Sequence, residues 1–135
     1  LDAMRPSVLP GLLAAAQRNV ARGLKDGGLF EVGPQFTGPD PGEQFTAATG
    51  IRLGSAQRHW SNAERPVDVY QAKADVMAIL ESAGFAPETA QVTADAPAWY
   101  HPGRSGSLKL GPQTVLATFG EIHPRTLKAL DIRIE

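Results

Sequence analysis

The sequence has no cysteine, so disulfide bonds and thiolate metal sites are excluded, and a reducing cytosolic setting is compatible with it. It has no apolar run near the ~18 residues that a membrane-spanning helix needs, and we therefore expect no membrane contact. Neither sign of charge is in excess, because 13 basic and 14 acidic residues give a formal net charge of -1. A free-standing nucleic-acid binder usually carries a clear basic excess and is therefore disfavoured.

Nucleotide-binding motifs are missing as well. No Gly-x-Gly-x-x-Gly follows a predicted strand, and there is no Gly-x-x-x-x-Gly-Lys-Ser/Thr loop. The sequence has 135 residues, of which 42% are hydrophobic and 20% charged, values typical of one globular domain that spans 1–135. Leu1 is not an initiator methionine, and residues 131–135 resemble a strand that has just begun. We therefore expect an excised part of a longer polypeptide.

Apolar periodicity predicts three helices and five strands. Spacing of three and four residues indicates helices, and strict alternation indicates strands joined as hairpins. Gly33 and Pro34 are expected to end the first strand, which reads as short and buried, and Asp68 is expected to cap the second helix. The predicted ranges are 7–24 (helix), 28–32 and 45–53 (strands), 69–83 (helix), 91–94, 107–110 and 115–119 (strands) and 124–130 (helix). This order predicts an α+β fold around an antiparallel sheet flanked by helices.

The large apolar side chains give the predicted core. Trp60 is expected to anchor the polar segment 54–66. The second helix is expected to turn one face inward, formed by Val69, Val76, Ile79, Leu80 and Ala83. The aromatic residues predicted to pack in the core and its seams are Phe30, Phe36, Phe45, Phe85, Trp99 and Phe119.

His101 allows a catalytic reading and a structural one. With Ser105 and Asp95 it could complete a catalytic triad, and with Arg104 it could form the site of an independent small enzyme. However, a nucleophile needs a base within hydrogen-bond reach. In the structural alternative, Pro102-Gly103 forces a turn and Arg104 pairs with a carboxylate or with backbone carbonyls.

Three other candidates have simple structural explanations. Glu121 and His123 are two residues apart and could share a metal, but zinc usually needs three or four ligands, and His123 precedes Pro124 at the predicted start of the last helix. Lys73 could form a Schiff base, yet a lysine on an amphipathic helix is usually solvated. His59 lies in a polar loop and is expected to be solvated.

Five stretches carry a family likeness. They are Met4-Arg5-Pro6-Ser7-Val8-Leu9-Pro10-Gly11-Leu12-Leu13, residues 19–33, Tyr70-Gln71-Ala72-Lys73, Tyr100-His101-Pro102-Gly103-Arg104-Ser105, and Phe119-Gly120-Glu121-Ile122-His123-Pro124 with Leu127-Lys128-Ala129-Leu130. In order and spacing they resemble the core domain of the bacterial phenylalanyl-tRNA synthetase beta subunit, over nearly the whole chain.

The resemblance implies a class II aminoacyl-tRNA synthetase-like fold that is a non-catalytic copy of the catalytic domain. It also implies that catalysis, with ATP and magnesium, belongs to a separate alpha subunit, and that two alpha and two beta chains form a cytoplasmic heterotetramer acting on tRNA(Phe). The front of the core, with its dimerisation helix, would lie before Leu1. We expect no cofactor and no metal in this part; a generic synthetase-like binding module is the remaining alternative.

The resemblance also implies structural hallmark positions rather than catalytic ones. The strand 29–32 lacks the arginine with which a class II site holds the ATP α-phosphate, and Glu31 projects there instead. Arg18, Arg22 and Lys25 could touch tRNA, although a helix dipole by itself favours cations in a last turn. The hallmark positions are Arg5, Pro10, Gly11, Glu31, Gly33, His101, Pro102, Gly103, Arg104, Gly120, Glu121, His123 and Pro124.

Overall fold

The computed structural model describes residues 4–55, 60–61 and 65–134. The chain divides into two compact units, one formed by Leu1–Val67 with Ile132–Glu135 and the other by Asp68–Asp131. Within the described residues there are three α-helices and five strands, in the predicted order, and both sheets are antiparallel. The α+β class is therefore confirmed. No helix in the described part of the chain is long and apolar enough to span a membrane.

The first unit begins with helix α1, Leu9–Ala21, which is shorter than the predicted range. Pro10 lies in the first turn, where its missing N–H costs no helical hydrogen bond. Gly23 has a φ of 90° and ends the helix, as glycine commonly does. The buried side of the helix, together with the residue before it, supplies the core of this unit: Val8, Leu12, Leu13 and Ala16.

The hairpin of this unit consists of β1, Gly27–Phe36, and β2, Gln44–Leu53. A short 3₁₀ turn, Pro41–Glu43, lies in the loop between them. The prediction that Gly33-Pro34 ends β1 is wrong. Phe36 donates its N–H to the Arg5 carbonyl, on the side away from β2. Pro34, two residues earlier, has the same orientation, so its missing N–H removes no bond to β2.

The prediction that β1 is buried is also wrong. From Leu29 to Gln35 the odd-numbered residues are half-buried, whereas Phe30 is 80% exposed and Val32 is 62% exposed. Phe45, Phe85 and Trp99 are exposed as well, Phe36 is half-buried, and Phe119 is buried. Apolar character alone therefore misassigned most of the aromatic residues to the core.

The loop after β2 differs from the prediction at Trp60, which is 93% exposed and anchors no core. Backbone contacts close this segment instead, since Ser55 bridges to Pro66 and Val67 donates to the Gly54 carbonyl. His59 lies outside the described residues. Residues 132–134 adopt no strand.

The second unit begins with helix α2, Val69–Ser82. The Asp68 side chain caps it by accepting the Gln71 N–H, as predicted, and Gly84 follows its end with a φ of 92°. Ile79 is 54% exposed and Ala83 is exposed, so their predicted inward orientation is wrong. The core of this unit is formed by Leu80, Leu108 and Phe119, with Val69, Ala72, Val76, Met77, Ala90 and Leu116 packed around them.

The sheet of the second unit has the order β3-β4-β5, with β3 Gln91–Thr93, β4 Tyr100–Leu110 and β5 Thr114–Ile122. Helix α3, Pro124–Ala129, follows directly. β4 starts earlier than predicted because it contains a bulge. Tyr100 pairs with Ile122 and Ser105 with Gly120, so β4 advances five residues while β5 advances two. The predicted turn at Pro102-Gly103 is this bulge within a strand.

Candidate functional site

The first candidate site lies where the segment before α1 meets β1. Arg5 donates from Nη1 to Glu31 Oε1 at 2.7 Å and from Nε to the Pro34 carbonyl at 2.9 Å. The Gln35 side chain accepts the Val8 N–H at 2.9 Å. These bonds tie the start of α1 to the hairpin.

The charge at this site is balanced internally. β1 contributes no lysine or arginine, as the sequence indicated, and its only charged side chain is Glu31. The cation beside it is Arg5, whose side chain is 39% exposed, as is that of Glu31 at 40%. Sequence reasoning missed this pair because its members are 26 residues apart; the only signal was that both are hallmark positions.

Gly33 is explained by the same cluster. A Cβ at this position would lie 2.5 Å from Arg5 Nη2 and 3.3 Å from Glu31 Oε1. An added Cβ would therefore require the Arg5 guanidinium group, at the far end of a flexible side chain, to shift. In contrast, a Cβ at Gly11 would have no heavy atom within 4 Å, so packing does not require glycine there.

The second candidate site is the bulge of β4 and the end of β5. Arg104 donates from Nη1 to both oxygens of Glu121, at 3.1 and 3.0 Å. The structural reading, in which Arg104 pairs with a carboxylate, is confirmed. Both side chains are about half exposed, at 58% and 47%, so the pair is worth only about 0–1 kcal/mol.

The catalytic triad of His101, Ser105 and Asp95 that the sequence allowed does not form. Ser105 donates its hydroxyl to the His101 carbonyl at 2.8 Å, and His101 Nδ1 accepts the Gly103 N–H at 3.2 Å. Asp95 instead binds Thr93 and Lys109. The Ser105 hydroxyl is therefore bonded to the backbone of His101 and not to its imidazole ring.

A cavity of about 320 Å³ lies beside this bulge. Its lining residues are Ala94, Asp95, Ala96, Pro97, Ala98, Tyr100, Pro102, Ser105 and His123. Hydrogen bonds from Lys109 and from Thr93 hold the pKa of Asp95 below its ordinary value of 3.8. The carboxylate therefore stays ionised and paired, which suits a structural role rather than proton transfer.

The remaining candidate residues have structural contacts of their own. His123 caps α3, where its Nδ1 accepts the Arg125 N–H at 3.0 Å, and Glu121 is paired with Arg104. Among the described residues, no group of three or more His, Cys, Asp or Glu side chains could hold a metal ion. Lys73 is half-buried on α2.

The predicted basic strip is exposed. Arg18 lies in the last turn of α1, Arg22 is the C-cap residue, and Lys25 follows in the connection to β1. All three side chains reach solvent at the C-terminal end of the helix.

Comparison with known proteins gives a consistent result. A family described as "Phenylalanyl tRNA synthetase beta chain CLM domain" matches residues 1–135. The chain is 60% identical over 134 residues to the phenylalanine–tRNA ligase beta subunit of Rhodospirillum rubrum, an alignment that covers 98% of this chain. The subunit of the same name from Paramagnetospirillum magneticum is 58% identical over 98% of the chain, and that of Mesorhizobium japonicum is 52% identical over 96%. The chain spans about 17% of the length of these relatives.

Proposed function

Because this chain belongs to the phenylalanyl-tRNA synthetase beta-chain family, we propose that it is a class II synthetase-like core without a catalytic site of its own. Within the full-length subunit it would support a catalytic alpha subunit in the ATP-dependent attachment of phenylalanine to tRNA(Phe). The assembly would be the alpha2-beta2 heterotetramer, and tRNA would be bound by the whole assembly in the cytoplasm.

The Arg5–Glu31 pair is the observation that supports a non-catalytic role. A site that activates an amino acid needs cations aimed at the phosphates of ATP, and losing one such group costs about 3–4 kcal/mol of transition-state stabilisation. Here β1 presents Glu31, and the neighbouring Arg5 is bound to that carboxylate and to the Pro34 carbonyl. A phosphate would have to displace Glu31 and would be repelled by it.

The residues of the hairpin therefore do not fit ATP with magnesium. Hard cations such as magnesium are bound by carboxylates together with substrate phosphates, but Glu31 is committed to Arg5. We place ATP and magnesium with the alpha subunit and assign no chemical step to this chain.

Pyrophosphate exchange tests the proposal. The full-length beta subunit, the alpha subunit and their mixture are each assayed for phenylalanine-dependent exchange between ATP and labelled pyrophosphate. We expect no exchange by the beta subunit alone and exchange by the mixture. Phenylalanine-dependent exchange by the beta subunit alone would contradict the proposal.

A matched variant separates the charge argument from assembly. Glu31→Gln in the full-length beta subunit removes the carboxylate but keeps the shape of the side chain. We expect the variant to bind the alpha subunit and still to lack exchange on its own, since Arg5 remains bonded to the Pro34 carbonyl. If Glu31→Gln creates ATP binding at the hairpin, the Glu31 carboxylate alone prevents binding in the wild-type protein. The rest of the hairpin would then form a nucleotide site.

A further inference from the structure

The β1–β2 hairpin has one face that is open to solvent. Helix α1 contacts both strands, and the odd-numbered residues 29–35 of β1 and 47–53 of β2 are half-buried. Phe30 and Val32 point to the other side and lie directly opposite Gly50 and Ala48, which are exposed as well. We call this surface the open face, and its residues are Phe30, Val32, Thr46, Ala48, Gly50 and Arg52.

The open face is apolar for a surface that meets water. Phe30, Val32 and Ala48 have hydrocarbon side chains, Thr46 is neutral, and Arg52 is the one charged member of the set. Single exposed apolar side chains are common on proteins, but an adjoining group of them on a regular strand pair marks a surface that packs against something else.

Gly50 is a second, independent observation. A glycine inside a strand weakens it, because glycine has no side chain to pack and loses the most conformational freedom on folding. The hairpin does not need glycine here, since the φ of Gly50 is outside the left-handed region and the pairing with Phe30 has no bulge. A Cβ would meet the Leu29 carbonyl oxygen at 3.6 Å and the Phe30 Cβ at 3.7 Å, which are ordinary contacts. Glycine in a regular strand then indicates close approach by another segment.

We propose that the open face is the docking surface for another segment of the same beta polypeptide, which lays its backbone over Gly50 and apolar side chains against Phe30 and Val32. The chain spans about 17% of the length of its relatives, so most of a full-length subunit is available to cover this face. A segment of the same polypeptide has a high effective concentration and avoids the translational entropy that a separate molecule loses. Its contacting side chains are uncharged, because a charge buried against hydrocarbon without a partner is costly.

Thiol labelling of the full-length beta subunit tests the docking. Val32→Cys places a small, largely apolar thiol on the open face, and maleimide labelling of the peptide that contains it is followed by mass spectrometry. Rates in native and denatured subunit are compared after correction with a model thiol. We expect native labelling to be at least about tenfold slower, at every subunit concentration and with or without the alpha subunit. Ala48→Cys, directly opposite on β2, is expected to behave in the same way.

Gly50→Val in the Val32→Cys subunit tests the close approach. The hairpin has room for the added Cβ, whereas a backbone lying over Gly50 would be displaced by it. We expect the labelling of the cysteine to become at least about tenfold faster. Thr46→Val is the matched control, because it lies on the same face, keeps the shape of the side chain and should leave the protection unchanged.

The other outcomes overturn the proposal. Labelling that is fast in the beta subunit alone and slows only when the alpha subunit is added would identify the alpha subunit as the occupant. Protection that grows with subunit concentration would identify a second copy of the beta chain. Fast labelling at both cysteines under all conditions would show that the face stays open, and protection that survives Gly50→Val would show that no segment packs over Gly50.

Discussion

The absence of a side chain at Gly120 allows the backbones of β4 and β5 to approach each other closely. A Cβ at Gly120 would lie 2.5 Å from the Ser105 Cβ, 2.9 Å from the Ser105 Cα and 3.0 Å from the Arg104 carbonyl oxygen. Two of these neighbours are backbone atoms, so no rotamer change can make room. The bulge of β4 therefore depends on glycine at this register position of β5.

Gly120→Ala is expected to destabilise the second unit by about 1–3 kcal/mol, because the added methyl group forces β4 and β5 apart. The matched control is Gly11→Ala in α1, where a Cβ meets nothing within 4 Å. That change should instead stabilise its helix by about 0.5–1 kcal/mol, since glycine has the higher conformational entropy when unfolded. Local opening free energies from hydrogen exchange in the full-length subunit measure both; equal effects of the two variants would contradict the steric argument.

At the scale of elements, β4 carries the core of the second unit through one side chain. Leu108 is fully buried against α2 and β5, whereas Leu110 on the same strand is 44% exposed. We expect Leu108→Ala to cost about 2–5 kcal/mol by leaving a cavity, and Leu110→Ala to cost less than about 1 kcal/mol. Exchange of the β4 and β5 amides in the full-length subunit would report the difference, and similar losses for the two leucines would count against this core.

The order and type of the elements could be predicted because periodicity is local. The Asp68 cap follows from residue chemistry within one turn of a helix, and the structure bears it out. The extent of β1 could not be predicted, because Pro34 is harmless only on an edge that faces away from β2, and that orientation depends on hairpin register.

The contacts of the site are the least predictable part. Arg5 reaches Glu31 and Arg104 reaches Glu121 across 26 and 17 residues, distances at which sequence spacing carries no geometric information. The likeness to a family marked all four positions but not their pairing. Exposure of Phe30 was missed for a related reason, since alternation gives two faces without saying which one is covered.

At the scale of the whole molecule, the net charge determines whether this chain attracts tRNA over a long range. A formal net charge of -1 gives this chain no long-range attraction for a polyanion, so any contact must come from a local cluster. Arg18, Arg22 and Lys25 form the exposed cluster at the end of α1. The negative end of the helix dipole already favours cations at this place, whether or not RNA binds there.

If the proposed function holds, replacing Arg18, Arg22 and Lys25 together by alanine is expected to leave the salt dependence of tRNA(Phe) binding by the full alpha–beta complex unchanged. Each phosphate contact contributes about 0.7–0.9 to the slope of log affinity against log salt, so three lost contacts would lower it by about 2–3. Titration of tRNA at several salt concentrations distinguishes these results without relying on a single affinity. A reduced slope would show that this end of α1 touches the phosphate backbone, while an affinity loss with an unchanged slope would indicate that the substitutions disturbed the fold of α1.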